Sequence, residues 1–156
     1  MGNDLLYKLA YDEAVRALSE QQAVIESFRN RAGLLFSAAA ITTSFLGSQA
    51  LRGGNVNYAS WSALFCFVAV ATTSLVVLWP RRWEGGVNPR DVIETYVEAE
   101  EAAPIDEVHR DLSIHMHNSY LENREGLKQL AVFLQVASGL LTLEVLSWVI
   151  AVASTL

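Results

Sequence analysis

Three long apolar runs interrupt the polar sequence of this chain. The first covers residues 32–51 and the second covers residues 60–79, and neither contains a charged side chain. The third covers residues 130–155 and contains a single acid, Glu144. A helix of about 20 apolar residues is long enough to cross the hydrocarbon core of a bilayer. The pattern therefore predicts an all-α membrane protein with three transmembrane helices in one membrane domain.

The polar segment before the first apolar run has the periodicity of a helix. Residues 3–31 contain no Gly or Pro, and their apolar positions recur at alternating spacings of four and three. The predicted packing face consists of Tyr7, Tyr11, Ala14, Leu18, Gln21, Ile25, Phe28 and Ala32. No breaker separates this segment, residues 1–31, from the apolar run, so we expect one continuous helix that continues into the membrane.

Residues 85–129 are expected to form a cytoplasmic helical insert. After Gly85-Gly86, the sequence Asn88-Pro89 is typical of a helix start and predicts a short acidic helix that ends near Ala102. Pro104 starts a second helix, which is expected to continue into the third span and to pack antiparallel to the N-terminal helix. Its predicted packing face consists of Ile105, Val108, Leu112, His115, Ser119, Asn123, Gly126 and Leu130.

The distribution of basic residues predicts the orientation in the membrane. Of the 11 Lys and Arg residues, only Arg52 lies between the first two runs, whereas the others precede the first run or lie between the second and third. The positive-inside rule then places the N-terminus and the 85–129 insert in the cytoplasm. The expected location is therefore a cell membrane, crossed more than once, with the N-terminus on the cytoplasmic side. A net charge of −6 argues against a nucleic-acid partner.

Small residues follow one side of the first apolar run at helical spacing. They are Gly33, Ser37, Ala40, Ser44 and Gly47. Such a stripe lets transmembrane helices approach closely, because association in a membrane depends on close packing and interhelical hydrogen bonds. One interpretation is packing against another span of the same chain. The alternative is a seam between copies, or a pore wall lined by hydroxyl groups.

Glu144 is the candidate functional residue of the third run. An unpaired ionised carboxylate at that depth costs several kcal/mol, so acids inside spans are functional candidates. Ion conduction and proton sensing are the roles that such a position favours. The competing interpretation is a protonated Glu144 that is hydrogen-bonded on a neighbouring helix. Its candidate partners there include Thr42, Thr43, Thr72 and Thr73.

The acidic helix of the insert is a candidate docking surface for a basic partner. Glu94, Glu98 and Glu101 are its candidate contact residues, although a solvated acidic face is the simpler interpretation.

The three histidines do not share one helix face at metal-binding spacing, and the single cysteine, Cys66, is expected to be a packed side chain. No catalytic motif or phosphate-binding loop is present, so neither enzyme activity nor a cofactor is predicted.

The layout of the chain resembles that of a group of bacterial membrane proteins. A polar helix passes through Phe28-Arg29-Asn30-Arg31 into Ala32-Gly33-Leu34-Leu35 and a small-residue span. A second span follows, then an insert with Asn88-Pro89 and a helix with Asn118 and Asn123. This layout is similar to the small helical membrane effectors of antiphage defence, the SLATT and Pycsar membrane-effector group.

The resemblance implies a homo-oligomer that depolarises or breaches the inner membrane when an infection signal arrives. It also implies a sensing region, but the insert lacks a phosphate-binding signature. The sensor would then be a separate protein, or the cytoplasmic helices would respond directly. The alternative function is a membrane-anchored scaffold that recruits a partner through the acidic helix and forms no pore. A third hypothesis, a small proton-coupled transporter, needs a second buried polar group.

Overall fold

The computed structural model describes residues 2–53, 57–81, 83, 87–98 and 103–154. The longer elements are α1 (Gly2–Ala50), α2 (Tyr58–Leu78) and α4 (Ile105–Ala153), and the shorter ones are a 3-10 turn (Leu51–Gly53), α3 (Pro89–Val92) and a π-helix (Ile93–Val97). No strand occurs within these described ranges, so the all-α prediction is confirmed.

Two of the helices are much longer than an apolar run. Helices α1 and α4 have 49 residues each, and each passes without interruption from a polar half into an apolar half. Neither helix contains a proline, and isolated glycines in a helix cost only about 1 kcal/mol each. The predicted continuity of both helices is therefore confirmed.

Local hydrogen bonds define the helix starts where the sequence places breakers and caps. The side-chain oxygen of Asn57 accepts from the backbone N–H of Ser60 at 2.8 Å, which caps α2. Asn88 accepts from the backbone N–H of Arg90 at 3.1 Å at the start of α3. The Pro104 carbonyl accepts from the backbone N–H of Glu107 at 3.0 Å, at the start of α4.

The described part of the acidic helix ends in a wide turn. The N–H of Glu98 donates to the carbonyl of Ile93 at 3.0 Å, five residues earlier, which is the π-helical pattern. The sequence predicted a helix from Pro89 to about Ala102, and the structure describes it as helical to Val97. Residues 99–102 and Gly85-Gly86 lie outside the described ranges.

The chain divides into two compact units. One, the polar unit, comprises residues 1–25 and 81–127, and the other, the apolar unit, comprises residues 26–80 and 128–156. In the polar unit, Leu18, Gln21 and Ile25 are buried, as the α1 periodicity predicted. On α4, Ser119 and Asn123 of the predicted face are buried. Ile105 and His115 are exposed instead, so the prediction is wrong for these two positions.

Contacts within each unit show that α1 and α4 run parallel. In the polar unit, the Tyr11 ring lies 5.4 Å from that of His109, and Gln21 donates to the Tyr120 carbonyl at 2.9 Å. In the apolar unit, Thr43 contacts Glu144 and Gly47 faces Trp148. The expected antiparallel packing is therefore wrong. Both helices proceed from polar to apolar sequence, so like surfaces can meet only when the helices point the same way.

Small side chains dominate the interior of the apolar unit. Ala50, Ala63, Trp148 and Ala151 form its core cluster. The buried face of α2 recurs at helical spacing and consists of Ser60, Ala63, Cys66, Val70, Ser74 and Val77. The buried Cys66 agrees with its predicted status as a packed side chain. Because most of these residues are small, the helices can approach closely around the buried side chain of Trp148.

Two helices, α2 and α4, are long and apolar enough to cross a membrane by length and composition alone. Helix α1 is not in this pair, so a third span stays a prediction. Only 28% of the apolar window of α2 and 22% of that of α4 is buried. A core helix of a water-soluble domain is mostly buried, whereas most of each of these two windows is not buried.

Replacement of Gly47 by leucine is expected to destabilise the apolar unit. A Cβ atom at Gly47 would lie 3.1 Å from Cη2 of Trp148, so a larger side chain overfills the contact. We expect a loss of about 1–3 kcal/mol, measured as a lower unfolding temperature of the purified protein in mild detergent. The matched control is Gly33→Leu on the same helix, because a Cβ there meets no atom within 4 Å. Equal losses in both variants would contradict this packing.

Candidate functional site

The carboxyl group of Glu144 lies in the interior of the apolar unit. Its side chain is 0% exposed, as is that of Trp148 one helical turn later. Residues four apart on a helix share one face, so α4 directs both side chains toward α1. Ala137 and Ala151 continue this buried face in the two directions. Glu144 is therefore a large polar side chain on the buried face of α4.

A short chain of hydrogen bonds holds the carboxyl group. The Thr43 hydroxyl donates to Oε1 of Glu144 at 2.7 Å, and the Trp148 indole N–H donates to Oγ1 of Thr43 at 3.0 Å. The hydroxyl of Thr43 thus serves as donor and acceptor at once. Of the four threonines that the sequence offered as partners, the structure selects Thr43. The hydrogen-bonded group of Thr43, Glu144 and Trp148 is called the polar triad below.

The second carboxyl oxygen of Glu144 is in a different environment. Oε2 is buried and has no hydrogen-bond partner among the described residues. No Lys or Arg of the described chain forms an ion pair with Glu144. Because a buried carboxylate without a cation costs several kcal/mol, this arrangement favours the neutral acid.

The stripe of small residues on α1 is divided between two surroundings. Gly47 is buried against Trp148, whereas Ser37 and Ser44 are exposed. Gly33 and Ala40 are half-buried. The buried positions of α1 in this unit are Ala32, Ala39, Gly47 and Ala50, and Thr43 is half-buried. Of these, only Gly47 belongs to the stripe. Packing within the chain thus uses one end of the stripe and leaves its serines outward.

The candidate docking residues on the acidic helix differ in their contacts. Glu94 accepts from the side chain of Arg90 at 2.7 Å in an exposed ion pair. Glu98 is exposed at the end of the π-helix, and Glu101 lies outside the described residues. The ion pair reduces the negative charge that Glu94 offers to a basic partner, so Glu98 is the stronger docking candidate of the two.

A polar cavity separates the acidic helix from α4 within the polar unit. It has a volume of about 370 Å³, and its lining includes Asp91, Tyr96, Asp111 and His115. Burial and the Asp111 carboxylate, to which the phenol is hydrogen-bonded, raise the pKa of Tyr96 above its ordinary value. The hydrogen bond between the phenol and Asp111 thereby links the π-helix to α4.

The histidines lie in three separate surroundings. His109 packs against the Tyr11 ring, His115 lines the polar cavity, and His117 lines a different groove beside Ala14. The described residues contain no group of three or more side chains arranged to hold a metal ion.

Trp148, the largest fully buried side chain of the described residues, is not among the residues predicted from the sequence. Its signal was the spacing of four from Glu144, which places the two residues on one helix face.

Comparison of the chain with protein families, with curated proteins and with solved structures finds no match. The resemblance to antiphage effectors stays an expectation drawn from the layout of the sequence.

Replacement of Thr43 by valine is expected to destabilise the apolar unit. Valine has nearly the same shape but cannot donate to Glu144 or accept from Trp148, so two buried polar groups lose their partner. Each such group costs roughly 1–3 kcal/mol. Thermal unfolding of the purified protein in detergent measures the loss.

The control for this change is Thr142→Val on α4. The Thr142 hydroxyl is exposed and donates only to the Ser138 carbonyl of its own helix, at 3.1 Å. We expect this variant to unfold within a few degrees of the original protein. Equal destabilisation by both substitutions would show that the polar triad contributes no more than an ordinary helical threonine.

Proposed function

We propose that the chain is a multi-pass protein of the bacterial inner membrane, with spans at 32–51, 60–79 and 130–155. The outward surface of the apolar unit supports this proposal. Leu34 is 71% exposed, Ile41 is 69% exposed and Phe65 is 74% exposed. Soluble proteins rarely expose large contiguous apolar surfaces to water, whereas lipid covers such a surface.

The exposed hydroxyl groups of the apolar runs also suit a lipid environment. Ser37 donates to the Gly33 carbonyl at 2.9 Å, Thr72 donates to that of Val68 at 2.8 Å, and Ser138 donates to that of Leu134 at 2.9 Å. In hydrocarbon each polar group must find its partner inside the protein. These hydroxyls do so within their own helices, and none of them requires water.

Within this membrane setting, the function that we propose is that of an oligomeric, channel-like effector. A signal received by the cytoplasmic helices opens it and depolarises the membrane, as the resemblance to antiphage effectors implies. The continuity of α1 and α4 supports this proposal, because a rotation or shift of the polar half of either helix is passed along an unbroken helix. The exposed Ser37 and Ser44 provide close-packing positions for a second copy.

The polar triad is the observation on which this proposal depends. In the closed state, Thr43 on α1 holds Glu144 inside a single copy, away from lipid and water. When α1 and α4 separate, the carboxyl group meets water and ionises, and a ring of carboxylates from several copies favours cations. Glu144 is then a latch in the closed state and a pore-lining residue in the open state.

The competing function is a scaffold that forms no pore. The exposed Glu98 favours it. So does the excess of acidic residues on the described acidic helix, which has three acids (Asp91, Glu94 and Glu98) and one base (Arg90). A scaffold requires neither a latch nor ion flux. The two functions therefore differ in their response to changes at Thr43 and Glu144.

Ion flux through liposomes tests the latch. We expect Thr43→Val to raise K⁺ leak above that of the original protein, because the closed state loses its bond to Glu144. The conservative variant Thr43→Ser keeps the hydroxyl and is expected to leak no more than the original. Adding Glu144→Gln to Thr43→Val is expected to lower the preference for K⁺ over Cl⁻. Folding of each variant is checked by size-exclusion chromatography.

The scaffold makes the opposite prediction. Equal, background-level flux from all four folded proteins would overturn the channel-like function. Binding of a cytoplasmic protein that is lost with Glu98→Gln would then support the scaffold.

The orientation is tested by labelling single cysteines in intact cells. In a Cys66→Ala background, Arg52→Cys is expected to react with a membrane-impermeant maleimide from outside, whereas Glu20→Cys is expected to react only after lysis. Both positions are exposed, so access to the reagent depends on the side of the membrane. The reverse pattern would contradict a cytoplasmic N-terminus.

A further inference from the structure

A groove lies between α1 and α4 on the surface of the apolar unit. It has a volume of about 400 Å³ and is lined by Arg31, Leu34, Leu35 and Ala38 of α1 and by Leu134 and Ser138 of α4. Both helices contribute an apolar wall, and one end carries a guanidinium group. The groove is therefore amphipathic along its length.

The polar groups of this groove differ in what they require. The Ser138 hydroxyl already donates to the Leu134 carbonyl at 2.9 Å, so it needs no partner from an occupant. The exposed Arg31 forms no ion pair with any residue in the described part of the chain. An occupant that complements both features has an anionic group at one end and an apolar body at the other.

The position of Arg31 in the sequence matches the headgroup level of a bilayer. Arg31 is the last charged residue before the uncharged run 32–51. In the proposed orientation it lies at the cytoplasmic interface, where basic residues attract anionic lipids. Ala38 is seven residues further along α1, about 10 Å deeper at the helical rise per residue. The apolar end of the groove then lies among acyl chains.

We propose that this groove binds one anionic phospholipid of the cytoplasmic leaflet, with its phosphate on Arg31 and an acyl chain along Leu34, Ala38 and Leu134. Charge complementarity selects this occupant. A second copy that placed an apolar helix in the groove would offer no anionic group to the guanidinium of Arg31. The site depends on the membrane placement proposed above. It adds a lipid-dependent step to the proposed function, since the groove lies between the same two helices that the polar triad joins.

The test is to count bound lipids on the protein by native mass spectrometry. The protein is extracted from mixed vesicles of phosphatidylcholine and phosphatidylglycerol. We expect the original protein to retain phosphatidylglycerol preferentially. Arg31→Gln is expected to lower this retention roughly fivefold, the effect of one basic residue near an anionic surface. Ser138→Leu, which fills the groove but keeps Arg31, is expected to lower the retention of both lipids.

The control is Arg52→Gln, an exposed arginine at the other end of the first apolar run. It is expected to leave retention unchanged. An equal loss in Arg52→Gln, or no phosphatidylglycerol preference in the original protein, would overturn the site. Displacement of the lipid by inorganic phosphate alone would identify a simple anion site and overturn the acyl-chain contact. Loss of a cross-linked dimer in Arg31→Gln, with lipid unchanged, would identify a second copy as the occupant.

Extraction of cell membranes with alkaline carbonate distinguishes failure of the membrane placement from failure of the lipid site alone. Protein released by carbonate would overturn both the proposed function and the lipid site. Protein that stays in the membrane and shows no lipid preference would overturn the lipid site alone.

Discussion

The hydrogen bond from Thr43 to Glu144 is the constraint on which the apolar unit depends. Apolar contacts between helices have less directionality than hydrogen bonds, so they constrain the register and rotation of one helix against another less strictly. A buried carboxyl group does fix them, because its cost is reduced only when one particular donor lies within reach. The donor is itself held by Trp148, so a slip of one residue would break two hydrogen bonds.

Packing around this bond uses size complementarity between the same two helices. The largest fully buried side chain, Trp148, lies against Gly47, and alanines fill the rest of the contact. In the membrane setting proposed above, the hydrophobic effect would not drive the helices together, so close contact and interhelical hydrogen bonds would have to do so. The small residues and the polar triad thus act together. The small residues let α1 and α4 approach closely, and the hydrogen bonds of the polar triad require that close approach.

Local features of this structure were predictable from sequence, whereas pairing between helices was not. The helix starts at Asn88 and Pro104 and the buried α1 face around Leu18 follow from turn chemistry and periodicity, which act within one segment. Periodicity does not state which neighbour a face meets. The choice of Thr43 among four threonines, and the division of the small-residue stripe, depend on the relative rotation of three helices. The parallel direction was inferable, since both long helices change from polar to apolar in the same sense.

If the chain has the channel-like function proposed above, the polar triad and the outward serines place a geometrical condition on its opening. Consecutive residues on a helix point about 100° apart, so Thr43 and the exposed Ser44 face different surroundings on one turn. Copies that associate through Ser37 and Ser44 leave Glu144 enclosed in each copy, and a path between them would not meet the carboxyl group. A rotation of α1 by about 100° would turn Thr43 toward the seam and break its bond to Glu144 in the same movement. In the proposed channel, rotation of α1 would therefore couple release of Glu144 from Thr43 to a change in the seam between copies, whereas separation of rigid copies would not.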